Sequence, residues 1–130
     1  MSVFVDTSAL YALLDEGDAR HGDASDALRR LVGIELVTHS YVVVEACALV
    51  GRRLPWESSV RLVDGILPVI DVRPVDADLY ATAMTAYRRS GSSAVSLVDH
   101  ASFAFIRSLG IARAFAYDDD FVREGIHLVA

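Results

Sequence analysis

Short β-branched runs alternate along the chain with longer stretches whose apolar residues recur at helical spacing. Val3 to Val5 reads as a strand, Ser8 to Glu16 and Asp23 to Val32 as helices, and Glu35 to Thr38 as a second strand. Tyr41 to Arg52 and Pro55 to Ile66 are helical, the latter with Pro55 in the first turn, where a missing amide donor is harmless. Val69 to Val72 is a third strand. Helices follow at Asp76 to Arg89 and Leu97 to Leu109, then a strand at Ala112 to Ala116, a helical turn from Asp119, and a last strand at Ile126 to Val129. This succession predicts an α/β fold, with a central parallel sheet of about five strands flanked by helices on both faces. Gly110 reads as a helix terminator.

Length sets the domain count. With 130 residues, 53% of them hydrophobic, residues 1–130 are expected to form a single domain that buries a core without disulfides. Cys47 is the lone cysteine, which excludes an internal disulfide framework and a multi-cysteine zinc site and points to the cytoplasm. No basic segment followed by an apolar stretch opens the chain, so no secretory leader is expected. No apolar run approaches the roughly 18 residues of a membrane span, since Glu45 interrupts even Tyr41 to Val50, so no membrane association is expected.

Charge adds a puzzle. All 12 basic residues are Arg, and 18 acids leave a net charge of −6. Such a chain is a poor generic binder of nucleic acid, because phosphate contacts need excess cation. Any nucleic-acid role requires a reason for the acids.

In an open α/β sheet, function gathers at the carboxyl ends of the strands. Asp6 ends the first strand there, Asp118 follows the fourth, Asp99 opens the helix after Ser96, and Glu45 lies in the first turns of the helix after Ser40. Taken singly, Asp6 and Asp118 read as helix caps, and Ser96 with Asp99 has capping-box spacing. Glu45 does not. It sits too deep in Val42 to Val50 to cap that helix, on a segment apolar on almost every side. A carboxylate there needs an Arg partner, a proton, a metal or a wet cleft. Two ionised carboxylates about 4 Å apart repel by roughly 4 kcal/mol at an effective dielectric near 20, and four compound that. With oxygen donors and no Cys or His cluster, the natural counter-ion is Mg²⁺ or Mn²⁺.

The ordered set of motifs resembles a PIN-domain ribonuclease, most closely the VapC-type toxins of bacterial toxin–antitoxin pairs. It comprises Val3-Phe4-Val5-Asp6-Thr7-Ser8-Ala9-Leu10, Glu45 inside an apolar helix, Ser96-Leu97-Val98-Asp99, and Ala116-Tyr117-Asp118-Asp119-Asp120-Phe121 followed by Gly125. Ala116 stands where relatives often carry Thr or Ser. The resemblance implies a PIN-like fold and a Mg²⁺-dependent (or Mn²⁺-dependent) endoribonuclease whose catalytic, metal-binding acids are Asp6, Glu45, Asp99 and Asp118. Asp120 becomes an auxiliary carboxylate, and Thr7 and Ser96 auxiliary hydroxyls, with local backbone bonding an equal alternative for both. It also implies an RNA substrate, a cognate VapB-type antitoxin and a homodimer. The alternative is a catalytically silent PIN-like module that binds RNA or protein, against which stands the concentration of repulsive charge.

Arg88 and Arg89, like the pairs Arg29-Arg30 and Arg52-Arg53, are candidate phosphate contacts, although each pair lies near a helix end where a cation complements the dipole. Cys47 reads as a small core residue, and Trp56 as a core or antitoxin-interface residue. His21, His39, His100 and His127 form no ligand spacing.

Overall fold

The computed structural model describes residues 1–129. Five strands form one all-parallel sheet in the order β3-β2-β1-β4-β5: β1 Ser2–Val5, β2 Glu35–His39, β3 Asp71–Arg73, β4 Arg113–Phe115 and β5 His127–Leu128. Seven α-helices flank it: α1 Thr7–Leu14, α2 His21–Arg30, α3 Ser40–Arg53, α4 Trp56–Val60, α5 Ala77–Ser90, α6 Leu97–Leu109 and α7 Asp119–Arg123.

Central β1 has Val3, Phe4 and Val5 all buried, the near-continuous apolar run expected of a parallel strand covered on both faces. The Phe4 ring lies 5.7 Å from the ring of His39, 5.8 Å from Phe105 and 6.1 Å from Phe121, so one strand residue ties together β2, α6 and α7. The chain steps from β1 outward to β2 and β3, then crosses back to β4 and β5 on the other side of β1. Right-handed crossovers require the connecting helices to change faces at that reversal. The switch point therefore falls between the carboxyl ends of β1 and β4, where open α/β sheets place their ligands.

Most expected elements are present with shifted ends; β3 is the largest departure. The helix from Trp56 does not stop at Val60 but continues as a π-helical turn at Arg61–Ile66 and a 3₁₀ turn at Leu67–Val69. Pro68 supplies no amide to an α-helical ladder, and the Ile70 amide bonds the Leu67 carbonyl at 3.0 Å. Val69 is thus spent on a turn, and the strand expected at Val69 to Val72 begins only at Asp71. Gly110 ends α6 as expected, at φ 65°, with the Ile111 amide reaching back to the Ile106 carbonyl at 3.0 Å. Trp56 is 76% exposed and so lies outside the core. It lines an apolar hollow of about 570 Å³ with Cys47, Leu54, Val60 and Val63, and Cys47 is half-buried there. Among the described residues no helix is long and apolar enough to cross a membrane.

The shared packing of Phe4 gives a direct test of this core. Phe4→Ala should lower the unfolding free energy by about 3–5 kcal/mol. Val122→Ala, on the exposed side of α7, should stay within about 0.5 kcal/mol of the parent. Denaturant midpoints at constant slope measure both.

Candidate active site

Asp6, Glu45, Asp99 and Asp118 line one cleft of about 500 Å³ at the switch point, together with Thr7, Ser8, Ala48, Leu49, Arg52 and Ser96. Each acid arrives by a different local rule. Asp6 follows β1 and caps α1; its Oδ2 accepts the Ser8 amide at 3.1 Å and the Ser8 hydroxyl at 2.7 Å. Asp118 follows β4 and caps α7, accepting the Asp120 amide at 2.9 Å. Asp99 rides the first turn of α6, whose N-cap is Ser96. Glu45 lies on α3, and Glu45, Ala48, Leu49 and Arg52 follow one another at i, i+3, i+4 and i+7, so one helix stripe faces the cleft.

The capping reading is therefore right for Asp6 and Asp118, and incomplete. In Asp6 the cap engages Oδ2 alone, while buried Oδ1 has no hydrogen-bond partner. Burial, chiefly, and the nearby Glu45 charge raise its pKa above the usual 3.8. Asp99 is pushed up to about 7, first by burial and then by the charges of Asp6, Asp118, Glu45 and Asp120. The Ser96 hydroxyl accepts the Asp99 amide at 3.1 Å, but the Asp99 carboxylate makes no return bond. Among the described residues no cation pairs with Glu45, so the half-buried acid faces the wet cleft instead of an Arg. Among the described residues none of the four acids is in an ion pair.

A hard divalent cation fits these observations. The donors are all oxygens, one carboxylate oxygen from each of Asp99, Asp118 and Asp120 lies within 4.8 Å of the others, and the buried orphan Oδ1 of Asp6 awaits a partner. Asp120 joins this trio but is not among the residues lining the cleft, and its carboxylate also pairs with Arg123. Of the two hydroxyls singled out in the sequence, that of Ser96 takes a backbone amide, whereas the buried Oγ1 of Thr7 has no partner. Arg88 and Arg89 lie exposed at the C-terminal end of α5, beside other surface hollows, and neither lines the four-acid cleft. The arginine that does line the cleft is Arg52.

Ser8 escaped the sequence reading. Its hydroxyl donates to Asp6 and accepts the Tyr117 amide at 3.0 Å, tying the residue before Asp118 to the turn after β1. A contact between residues 109 positions apart leaves no local signal.

The fold and the site thus define an α/β protein with an acid-lined cleft at the switch point of a five-stranded parallel sheet. The chain belongs to the PIN-domain family, whose model matches residues 3–125. It is 36% identical over 124 residues, 95% of this chain and 94% of the relative, to the 23S rRNA-specific endonuclease VapC20 of Mycobacterium tuberculosis. The crystal structure of that protein, described as a sarcin–ricin loop cleaving toxin, superposes with a TM-score of 0.82 over 95% of both chains. The VapBC2 structure from Rickettsia felis, at 13% identity, has a TM-score of 0.71 over 98% of this chain and 97% of that one, and shares the fold.

The charge imbalance is measurable without any substrate. A carboxyl raised from 3.8 to about 7 by folding contributes stability that is fully present below about pH 4 and lost as the pH rises through 7. In chelator, Asp99→Asn should therefore raise the melting temperature at pH 8 by on the order of 3 °C or more, and by nothing near pH 3.5. Thermal melts across that range provide the check, and a destabilised variant at pH 8 contradicts the electrostatic account.

Proposed function

We propose that the chain is an endoribonuclease of the toxin class, dependent on Mg²⁺ or Mn²⁺ and held in check by a VapB-type antitoxin. The observation that carries the proposal is the four-acid cleft, in which none of the four carboxylates is in an ion pair among the described residues and the buried Oδ1 of Asp6 has no hydrogen-bond partner. The 36% identity to a 23S rRNA endonuclease supports RNA as substrate, and makes the sarcin–ricin loop the first RNA to test. A silent binding module gains nothing from such repulsion.

In this reading Asp6, Glu45, Asp99 and Asp118 hold the cation, and Asp120 stands beside them. The bound ion supplies charge neutralisation and a water of lowered pKa. Ser8 holds one oxygen of Asp6 so that the other faces the site. Asp99, titrating near neutrality, is the carboxyl that gives up its proton as the site loads. With a water of lowered pKa as nucleophile, the route does not need the RNA 2′-hydroxyl. The scissile phosphate is instead attacked by water, leaving 5′-phosphate and 3′-hydroxyl ends.

Arg52 lies two helical turns from Glu45, about 10 Å along the axis. It is placed to hold a neighbouring backbone phosphate. The apolar hollow around Trp56 is the surface we assign to the antitoxin, and a homodimer is the assembly we propose.

Cleavage of sarcin–ricin loop RNA should stop in chelator and fall at least about 100-fold in Asp6→Asn and Asp118→Asn. End-group analysis should find 5′-phosphates, and 2′,3′-cyclic phosphate ends would reject the route. Arg52→Ala should raise KM several-fold with kcat nearly unchanged, and reduce the salt slope of RNA binding by about 0.7, the value of one single-strand phosphate contact. Binding in an Asp99→Asn background measures that slope.

A further inference from the structure

His39 is fully buried at the end of β2, among aromatic rings, and the chemistry above does not use it. Its ring lies 5.7 Å from Phe4 and 5.5 Å from Phe105, where a leucine would fill space without burying polar atoms. Its Nδ1 accepts the Val42 amide at 3.4 Å, capping α3, the helix that carries Glu45. The proton therefore sits on Nε2, which donates to the Ser102 hydroxyl on α6 at 2.9 Å. Ser102 in turn donates at 3.0 Å to the carbonyl of Val98, the residue before Asp99. The chain of donors runs one way and leaves no ring nitrogen unsatisfied. Burial depresses the pKa of the imidazole to about 4, which keeps this neutral tautomer at neutral pH. Its neighbour Thr38 donates to the Val5 carbonyl at 2.8 Å, immediately before Asp6. The last two residues of β2 are thus hydrogen-bonded to the backbone or side chains of all three elements that bring Asp6, Glu45 and Asp99 together.

We infer that His39 is a positioning residue for the cation site, setting the separation of Glu45 and Asp99 by capping α3 while its other nitrogen grips α6 through Ser102. The inference rests on the cation-site reading above. Buried polar groups with every partner in place fix a unique packing where an apolar core would tolerate a slide, and supports beyond the direct ligands of metal sites commonly matter about 10- to 100-fold in affinity.

The two nitrogens can be tested separately. His39→Asn places an acceptor where Nδ1 was and keeps the cap, but is too short to reach Ser102. His39→Gln reaches Ser102 with a donor and gives up the cap. The probe is Mn²⁺ alone, titrated by calorimetry into folded protein at neutral pH, with circular dichroism at the same temperature confirming the fold. His39→Asn, His39→Gln and Ser102→Ala should each raise the Mn²⁺ dissociation constant about tenfold, since each cuts one end of the tie between α3 and α6, and His39→Asn combined with Ser102→Ala should be no worse than either alone. Should His39→Asn not fold, Ser102→Ala carries the test. Variants that melt lower yet bind Mn²⁺ with parental affinity show a merely structural histidine and overturn the inference, leaving the proposed function intact. A parent that binds no Mn²⁺ overturns both.

Discussion

Mutual repulsion among carboxylates is the constraint around which this molecule is arranged. Four acids from the end of β1, from α3 and α6 and from the turn after β4 open into one cleft, where burial first and the neighbouring charges second push the pKa of Asp99 up to about 7 and raise that of Asp6. A fold that needed only stability would have dispersed them or paired each with an Arg. Here the fold keeps the acids together, and in the proposed function a cation neutralises them. The net charge of −6, unpromising for a protein that meets RNA, is intelligible under the proposed function as the electrostatics of a site that cations complete.

The architecture makes that concentration possible. A parallel sheet sends every strand's carboxyl end the same way, and the reversal of strand order beside β1 opens a crevice there. Helix N-termini supply the supports. Caps that satisfy backbone amides also clamp one oxygen of Asp6 and one of Asp118, so in the proposed function the same interaction that starts a helix would aim a ligand. Stability and function share these groups, which is why each acid has a credible structural explanation and none of those explanations is complete.

Much of this was legible in the sequence because its causes are local. The Val3 to Val5 run names the central strand, and Glu45 betrays itself as a charge on an otherwise apolar helix. The capping residues show as Ser or Asp before helical periods. What stayed hidden depends on contacts far apart in sequence. Ser8 matters because Tyr117 comes to it, and His39 because Ser102 does. The arginine beside the acids is Arg52 and not Arg88 or Arg89, since only the register of α3 brings a guanidinium onto the stripe of Glu45. The third strand was misplaced because Val69 and Ile70 have strand-like side chains, while Pro68 and the turns before it decide the backbone.

Anomalous scattering at the manganese edge, from crystals grown in millimolar Mn²⁺, tests the central claim most directly. The account predicts a peak in the cleft, ligated by carboxylate oxygens that include Asp99 and Asp118, with the free oxygen of Asp6 turned toward it. A cleft of the same shape with no anomalous peak, its acids neutralised by protons or by arginines, would contradict it.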